Sequence, residues 1–271
     1  MERIKEAIAK ARESKTGGLT DAPGAARKAV KGADVIDGPI VYNQTRVVDL
    51  DLGHLEENRI ITIDNEDPNS ISFDILRTQV LAKMEANNWR TLAITSPTPA
   101  CGKTVVAINL ALSIAKQTDY TALLVDFDLR RPQVAAYLGL PKDISFADYL
   151  DGKIEFNDTL VNPGIPRFVV LPNRRPVKNS TEILTSRKVK SVVADLRDRY
   201  EKRICIFDLP PLKSTDDAIA FLPQVDCVLM VVASGETKPS EVKDCRRQLQ
   251  SSNLLGVVLN KSTEVAKTYY Y

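Results

Sequence analysis

Residues 91–117, TLAITSPTPACGKTVVAINLALSIAKQ, limit what this chain can fold into more than any other stretch. Thr91–Thr95 is a short apolar run of the kind a buried parallel strand needs. Gly102, Lys103 and Thr104 then open a helix rich in Ala, Leu and Ile. A strand that turns through small residues into a helix N-terminus aims several backbone N–H groups at one point, which makes an anion site. The pattern predicts a phosphate-binding loop, with Lys103 reaching β- and γ-phosphates and the Thr104 hydroxyl ligating Mg²⁺. The usual spacing is G-x-x-x-x-G-K-[ST], and Pro97 stands at its first glycine position.

Two further apolar strands end in acid. LLVDFDLRRP runs into Asp126, Asp128 and Arg130, and RICIFDLPPL runs into Asp208. One aspartate at a strand end is commonly a turn cap. Three of them beside a phosphate loop read as a site that holds Mg²⁺ and aligns a reacting group. Strand and helix patterns alternate from residue 70 onward. Helices are predicted at 70–87, 103–117, 132–138, 145–150, 180–200, 215–221 and 238–251. Strands are predicted at 91–95, 121–126, 167–171, 203–208, 227–232 and 255–259. This is the pattern of an α/β domain with a doubly wound, mainly parallel sheet. Its ligands bind at the carboxyl ends of the strands, where all three motifs fall.

Composition narrows the class. A net charge of +2 over 271 residues leaves no footprint for nucleic acid. The four cysteines (Cys101, Cys205, Cys227, Cys245) have no C-x-x-C spacing, which speaks for a reduced, cytoplasmic chain without a zinc site. No signal peptide and no apolar run of about 18 residues is visible, so membrane association is expected to come through a partner. The chain divides into a short amphipathic helix at 1–14, with Ile4, Ala7, Ile8 and Ala11 on one face, and a linker or extended arm at 15–67. Its second half, 46–67, suits an edge strand or extended arm. A P-loop domain follows at 68–262, and a flexible tyrosine tail at 263–271.

Taken together, these segments resemble the bacterial tyrosine kinases of exopolysaccharide and capsule synthesis, P-loop autokinases unrelated to eukaryotic protein kinases. The resemblance covers about residues 68–271. The family pairs a Walker A loop with a Walker A′ motif, here Leu123–Arg130, and a Walker B D-x-P-P, here Asp208-Leu209-Pro210-Pro211. It also carries a tyrosine-rich tail, and this chain ends in Tyr269, Tyr270 and Tyr271. The resemblance implies an ATP- and Mg²⁺-dependent autokinase that phosphorylates those tyrosines in trans. Its catalytic residues would be Lys103, Asp126, Asp128 and Asp208. Asp126 would act as or orient the base, and Thr104, Asp128 and Asp208 would hold the metal. Thr98, Pro99, Ala100, Cys101, Gly102, Lys103, Thr104, Val105, Arg130 and Asn260 would line the nucleotide. It also implies a membrane polysaccharide co-polymerase as a separate activator chain, and a site at the inner membrane through that chain.

The match departs from the family at four places. The loop reads Pro99-Ala100-Cys101 where the family commonly has P-G-E, so Ala100 would bear any positive φ there, and Cys101 either sets a thiol beside the phosphates or is simply a small residue. The E-x-x-R-x-x-R helix through which the family forms rings becomes Ile71, Asp74 and Arg77, which puts a homo-oligomer of that type in doubt. Leu209 replaces a Thr or Ser, and the tail is short. Two other readings stay open. One is a nucleotide-binding scaffold of the same system with weak or no kinase activity. The other is a positioning-type ATPase, against which stands Thr98, where that group has an extra lysine. Asn260 either contacts adenine, as in related P-loop proteins, or is a turn residue. The basic stretch 167–190 either holds an acidic segment or is a solvated face.

Overall fold

The computed structural model describes residues 45–61, 70–117 and 119–262. The expected helix at 1–14, most of the linker and Tyr269–Tyr271 lie outside the described residues.

In chain order, β1 (Arg46–Val47) precedes α1 (Leu52–Glu57), α2 (Ser70–Ala86), β2 (Thr91–Thr95), α3 (Lys103–Ala115) and β3 (Thr121–Asp126). Two short helices, α4 (Val134–Tyr137) and α5 (Phe146–Leu150), lead to β4 (Val161–Asn162) and β5 (Phe168–Leu171). Next come α6 (Ser180–Leu184), α7 (Arg187–Asp198), β6 (Arg203–Asp208) and α8 (Asp217–Phe221). β7 (Cys227–Ala233), α9 (Pro239–Gln248) and β8 (Leu254–Asn260) complete the domain.

The strands form one sheet in the order β1-β4-β5-β3-β6-β2-β7-β8. All described pairings are parallel except β4 with β5. Both faces of β2, β3, β6 and β7 are covered, which explains why their sequences are apolar throughout rather than alternating. Successive side chains still point to opposite faces. Leu92, Leu124, Ile206 and Leu229 pack with Val80, Met84, Ile108 and Leu112 from α2 and α3. Ala93, Val125, Phe207 and Met230 pack on the other face with Val189, Leu196, Cys245 and Leu249. Helix α3 is buried nearly all round, as its uniform Ala/Leu/Ile content requires.

The sheet and the strand positions follow the sequence reading, with three differences. The predicted helix 180–200 is two helices, because the Ser186 hydroxyl accepts from Val189 N at 3.3 Å and caps a new start. Residues 52–57 are a helix rather than an extended arm, capped by Asp51, whose carboxylate accepts from Gly53 N at 2.9 Å. It buries Leu55, while Arg46–Val47 supply a short edge strand. The two-residue strand β4 was not read from the sequence.

Candidate active site

Register sets the site. In adjacent parallel strands Asp126 pairs with Asp208, and Asp208 with Ile94, so β2, β3 and β6 end side by side. The loop after β2 therefore opens directly beside both carboxylates. Alternation continues past the end of β3. Asp126 and Asp128 turn toward the loop, while Phe127 and Leu129 enter the core. Phe127 stacks against Phe146, Phe207 and Phe221 at centroid distances of 5.4, 5.5 and 5.2 Å. These aromatic contacts fix the backbone that carries the aspartates.

Lys103 Nζ lies 2.9 Å from Asp128 Oδ2 and 3.5 Å from Asp208 Oδ1. Thr104 Oγ1 donates to Asp208 Oδ2 at 2.6 Å. Asp126 Oδ2 accepts from Gln133 N at 3.0 Å and Val134 N at 2.9 Å, the entry to α4. Its Oδ1 is buried and has no hydrogen-bond partner. Burial, and then the charge of Asp208, push the Asp126 carboxyl well above the ordinary carboxylate range. Burial also raises Asp208, against the opposing pull of Lys103. On Lys103 burial works against the charge, but Asp208 and Asp128 outweigh it, so its pKa is raised and it stays cationic.

The donor set suits Mg²⁺. Two carboxylates and a hydroxyl are hard oxygen ligands, and this ion usually takes only one or two carboxylates from protein, with water and phosphate completing its shell.

The loop is held by backbone conformation and neutral hydrogen bonds. Ala100 and Gly102 have φ of 64° and 83°. Ser96 Oγ donates to Thr98 O at 2.8 Å. The D-x-P-P segment is laced to the same loop, with Leu212 N on Ser96 O at 2.8 Å and Thr95 Oγ1 on Pro210 O at 2.8 Å. Cys101 is buried: its Sγ donates to Thr98 O at 3.2 Å and sits 3.6 Å from Thr237 Oγ1. The thiol is therefore packed under the loop, not displayed on it. Asn260 Nδ2 donates to Cys101 O at 2.9 Å. Val105 packs half-buried at the start of α3.

Arg130 is engaged by a buried carboxylate. Its Nε and Nη2 donate to Asp217 at 2.9 and 3.1 Å, and Ser180 Oγ donates to the same buried carboxylate at 2.7 Å. Arg130 thus ties β3 to α6 and α8 and lines a cleft of about 450 Å³ with Lys178 and Thr181. In the basic stretch, Arg174 donates to Pro141 O at 2.8 Å and Lys188 to Tyr149 O at 2.7 Å, so both brace the 141–150 segment. Arg77 is held by Asp74 at 2.7 Å and Ser113 Oγ at 3.1 Å, while Ile71 is half exposed. Sequence reading missed Thr237 and Asp217. Neither lies in a motif: Thr237 reaches the loop, and Asp217 reaches Arg130, only through tertiary packing.

No family model matches the chain. It is 28% identical to the putative tyrosine-protein kinase CapB of Staphylococcus aureus over 74% of this chain and 89% of that protein. It is 30% identical to the tyrosine-protein kinase etk of Escherichia coli K12 over 78% of this chain, which spans 29% of that longer protein. Among solved structures, the kinase domain of Escherichia coli tyrosine kinase ETK superposes with a TM-score of 0.71 at 26% identity, covering 83% of this chain and 91% of that one. The chimerical protein CapA2B2 gives 0.69 at 27% identity, covering 81% and 94%. The septum site-determining protein MinD of Pyrococcus horikoshii, complexed with Mg-ADP, gives 0.54 at 20% identity over 64% of this chain and 72% of that one, a likeness of fold alone. With its P-loop, paired strand-end aspartates and D-x-P-P segment in one site, this chain is similar in sequence and fold to the bacterial tyrosine kinases named above.

Proposed function

We propose that this protein is an ATP- and Mg²⁺-dependent protein-tyrosine kinase of a capsule or exopolysaccharide system. The observation that carries the reading is the cluster of Lys103, Thr104, Asp128 and Asp208 beside Asp126, whose Oδ1 is buried without a partner. Phosphoryl transfer needs alignment and charge neutralisation more than covalent help. The backbone of residues 98–105 would cradle the phosphates, and Lys103 would offset their charge. Thr104, Asp128 and Asp208 would hold Mg²⁺, which would supply charge neutralisation for the phosphates. Asp126 would accept the proton of the attacking tyrosine hydroxyl at Oδ1. Its raised pKa suits a base that must take and later release a proton. No histidine is required.

The acceptors we propose are Tyr269, Tyr270 and Tyr271 of a neighbouring copy. The partner we propose is a membrane polysaccharide co-polymerase on a separate chain. The relatives' Cap designations, and a chimera whose name joins CapA to CapB, support that pairing. Among the described residues no helix is long and apolar enough to cross a membrane, so a partner would supply the attachment at the inner membrane.

The test is intact-mass analysis and peptide mapping of the protein from its native host, beside Lys103→Met. Phosphate on Tyr269–Tyr271 that disappears in the variant is the expected result. An unmodified tail in both, with ATP still bound, would replace the kinase by a nucleotide-dependent scaffold. The left-handed Ala100 would then be the first residue to alter.

A further inference from the structure

The end of β8 reaches the phosphate loop from the side opposite the carboxylates. Asn260 closes the edge strand and is held in register with Ala233, while its backbone oxygen accepts from Ser234 N at 2.8 Å. Its side chain does not project into open space. Nδ2 donates to Cys101 O at 2.9 Å, and a Cβ placed on Gly102 would lie 2.2 Å from that nitrogen. The carboxamide thus rests on the one glycine of the loop, at the point where the chain turns left-handed into α3. The next residue, Lys261, has φ of 58° and pairs with both oxygens of Glu236 at 2.9 Å, which fixes the strand end. Thr237, in the same turn, accepts from Ala233 N at 2.9 Å and touches the Cys101 thiol at 3.6 Å. Asn260 and Thr237 therefore grip Cys101 from two sides, one at its carbonyl and one at its sulfur.

A peptide unit gripped at its carbonyl cannot rotate. In a loop whose amides form the anion site, fixing the Cys101–Gly102 peptide fixes where the next N–H points. We infer that Asn260 is a positioning residue that holds the phosphate loop in its anion-cradling conformation, and that it acts on the phosphates rather than on the nucleotide base. The inference rests on the phosphate-site reading above and makes a distinct claim about it.

Base recognition and loop positioning separate cleanly with three ligands: ATP, GTP and inorganic triphosphate. Their affinities are measured by calorimetry on the full chain, wild type, Asn260→Ala and Asn260→Asp, with melting temperatures of the ligand-free proteins alongside. The aspartate is isosteric and keeps an acceptor for an adenine amino group, but it has no N–H for Cys101 O. The alanine controls for the charge that the aspartate adds. Loss of one such hydrogen bond is expected to weaken all three ligands by a similar factor, about tenfold, in both variants. Melting temperatures should stay close to wild type, because the bond lies at a surface strand end. A loss confined to ATP, or restored by the aspartate, assigns Asn260 to the base and overturns the inference. Unchanged affinities in both variants overturn it equally. If wild-type protein binds none of the three, the phosphate site itself is refuted.

Discussion

The two walls of the site are built on different principles. The carboxylate wall, from β3 and β6, is held by charge in a dry setting: Asp126, Asp128 and Asp208 are all buried, with Lys103 among them. The loop wall, from Pro97 to Gly102, contains no charge. It is held by two left-handed residues, a buried thiol and a few neutral hydrogen bonds. A buried charge is costly unless paired, so every member of the first wall depends on its neighbours. The second wall depends on backbone geometry, where a single added methyl group matters. Chemistry is expected to fail abruptly on the first wall and nucleotide affinity to fail gradually on the second.

The largest expected effect is on the carboxylate wall. Asp126→Asn should lower tyrosine phosphorylation by a factor on the order of 10²–10⁴, the usual contribution of a general base. ATP affinity should change little, and kcat measured beside the dissociation constant would show it. An equal loss in both would place Asp126 in binding and merge the two walls.

The pH dependence sharpens the same point. Asp126 has its pKa raised in the folded protein, so its effect on stability is most favourable below the unfolded value and is lost as pH rises through the folded one. At neutral pH the wild type carries that penalty and Asp126→Asn does not. The variant should melt no lower than wild type at pH 7, and its relative advantage should shrink as the pH falls toward the ordinary carboxylate range. The phosphorylation rate of the wild type should rise through a limb above that range. A limb at an ordinary carboxylate pKa would argue against Asp126 as the base.

On the loop wall, Gly102→Ala combines a left-handed φ of 83° with a Cβ 2.2 Å from Asn260. Strain of about 1–2 kcal/mol from the backbone alone should weaken ATP roughly tenfold or more. The expected result is a higher KM with a smaller fall in kcat, and a kcat collapse would break the contrast between the walls. The smallest effect is Ala100→Gly. Removing the Cβ from φ of 64° should relieve up to about 1 kcal/mol of strain and tighten the nucleotide slightly or leave it unchanged. A tenfold weaker affinity would show that Ala100 serves the loop by something other than tolerance.

How much of this could be read in advance differs between the walls in the same way. Asp126, Asp128, Asp208, Lys103 and Thr104 stand out in the sequence because each follows an apolar strand or opens a helix at fixed spacing. The structure does bring them together, since the strand ends are in register. Ala100 was legible as the position that would carry positive φ. Cys101 was open between a displayed thiol and a packed small residue, and only its contacts with Thr98 and Thr237 decide for packing. Arg130 reads as a nucleotide contact in the A′ motif, and the structure adds its pairing with Asp217, a residue no local pattern connects to it. The break between α6 and α7 was missed because helical periodicity runs through Thr185 and Ser186, and a capping hydroxyl interrupts it only once the helix packs.

The sequence by itself determined the strand–loop–helix unit, the parallel α/β sheet and the identity of the charged site residues. Those depend on local periodicity and on the need to bury apolar runs. The tertiary structure alone decided which neutral groups hold the loop. Asn260 lies 159 residues from Cys101 and Thr237 lies 136 residues away. A hydrogen bond between such distant groups leaves no mark on the composition or spacing of either segment. It exists only because sheet order places β7 and β8 beside β2.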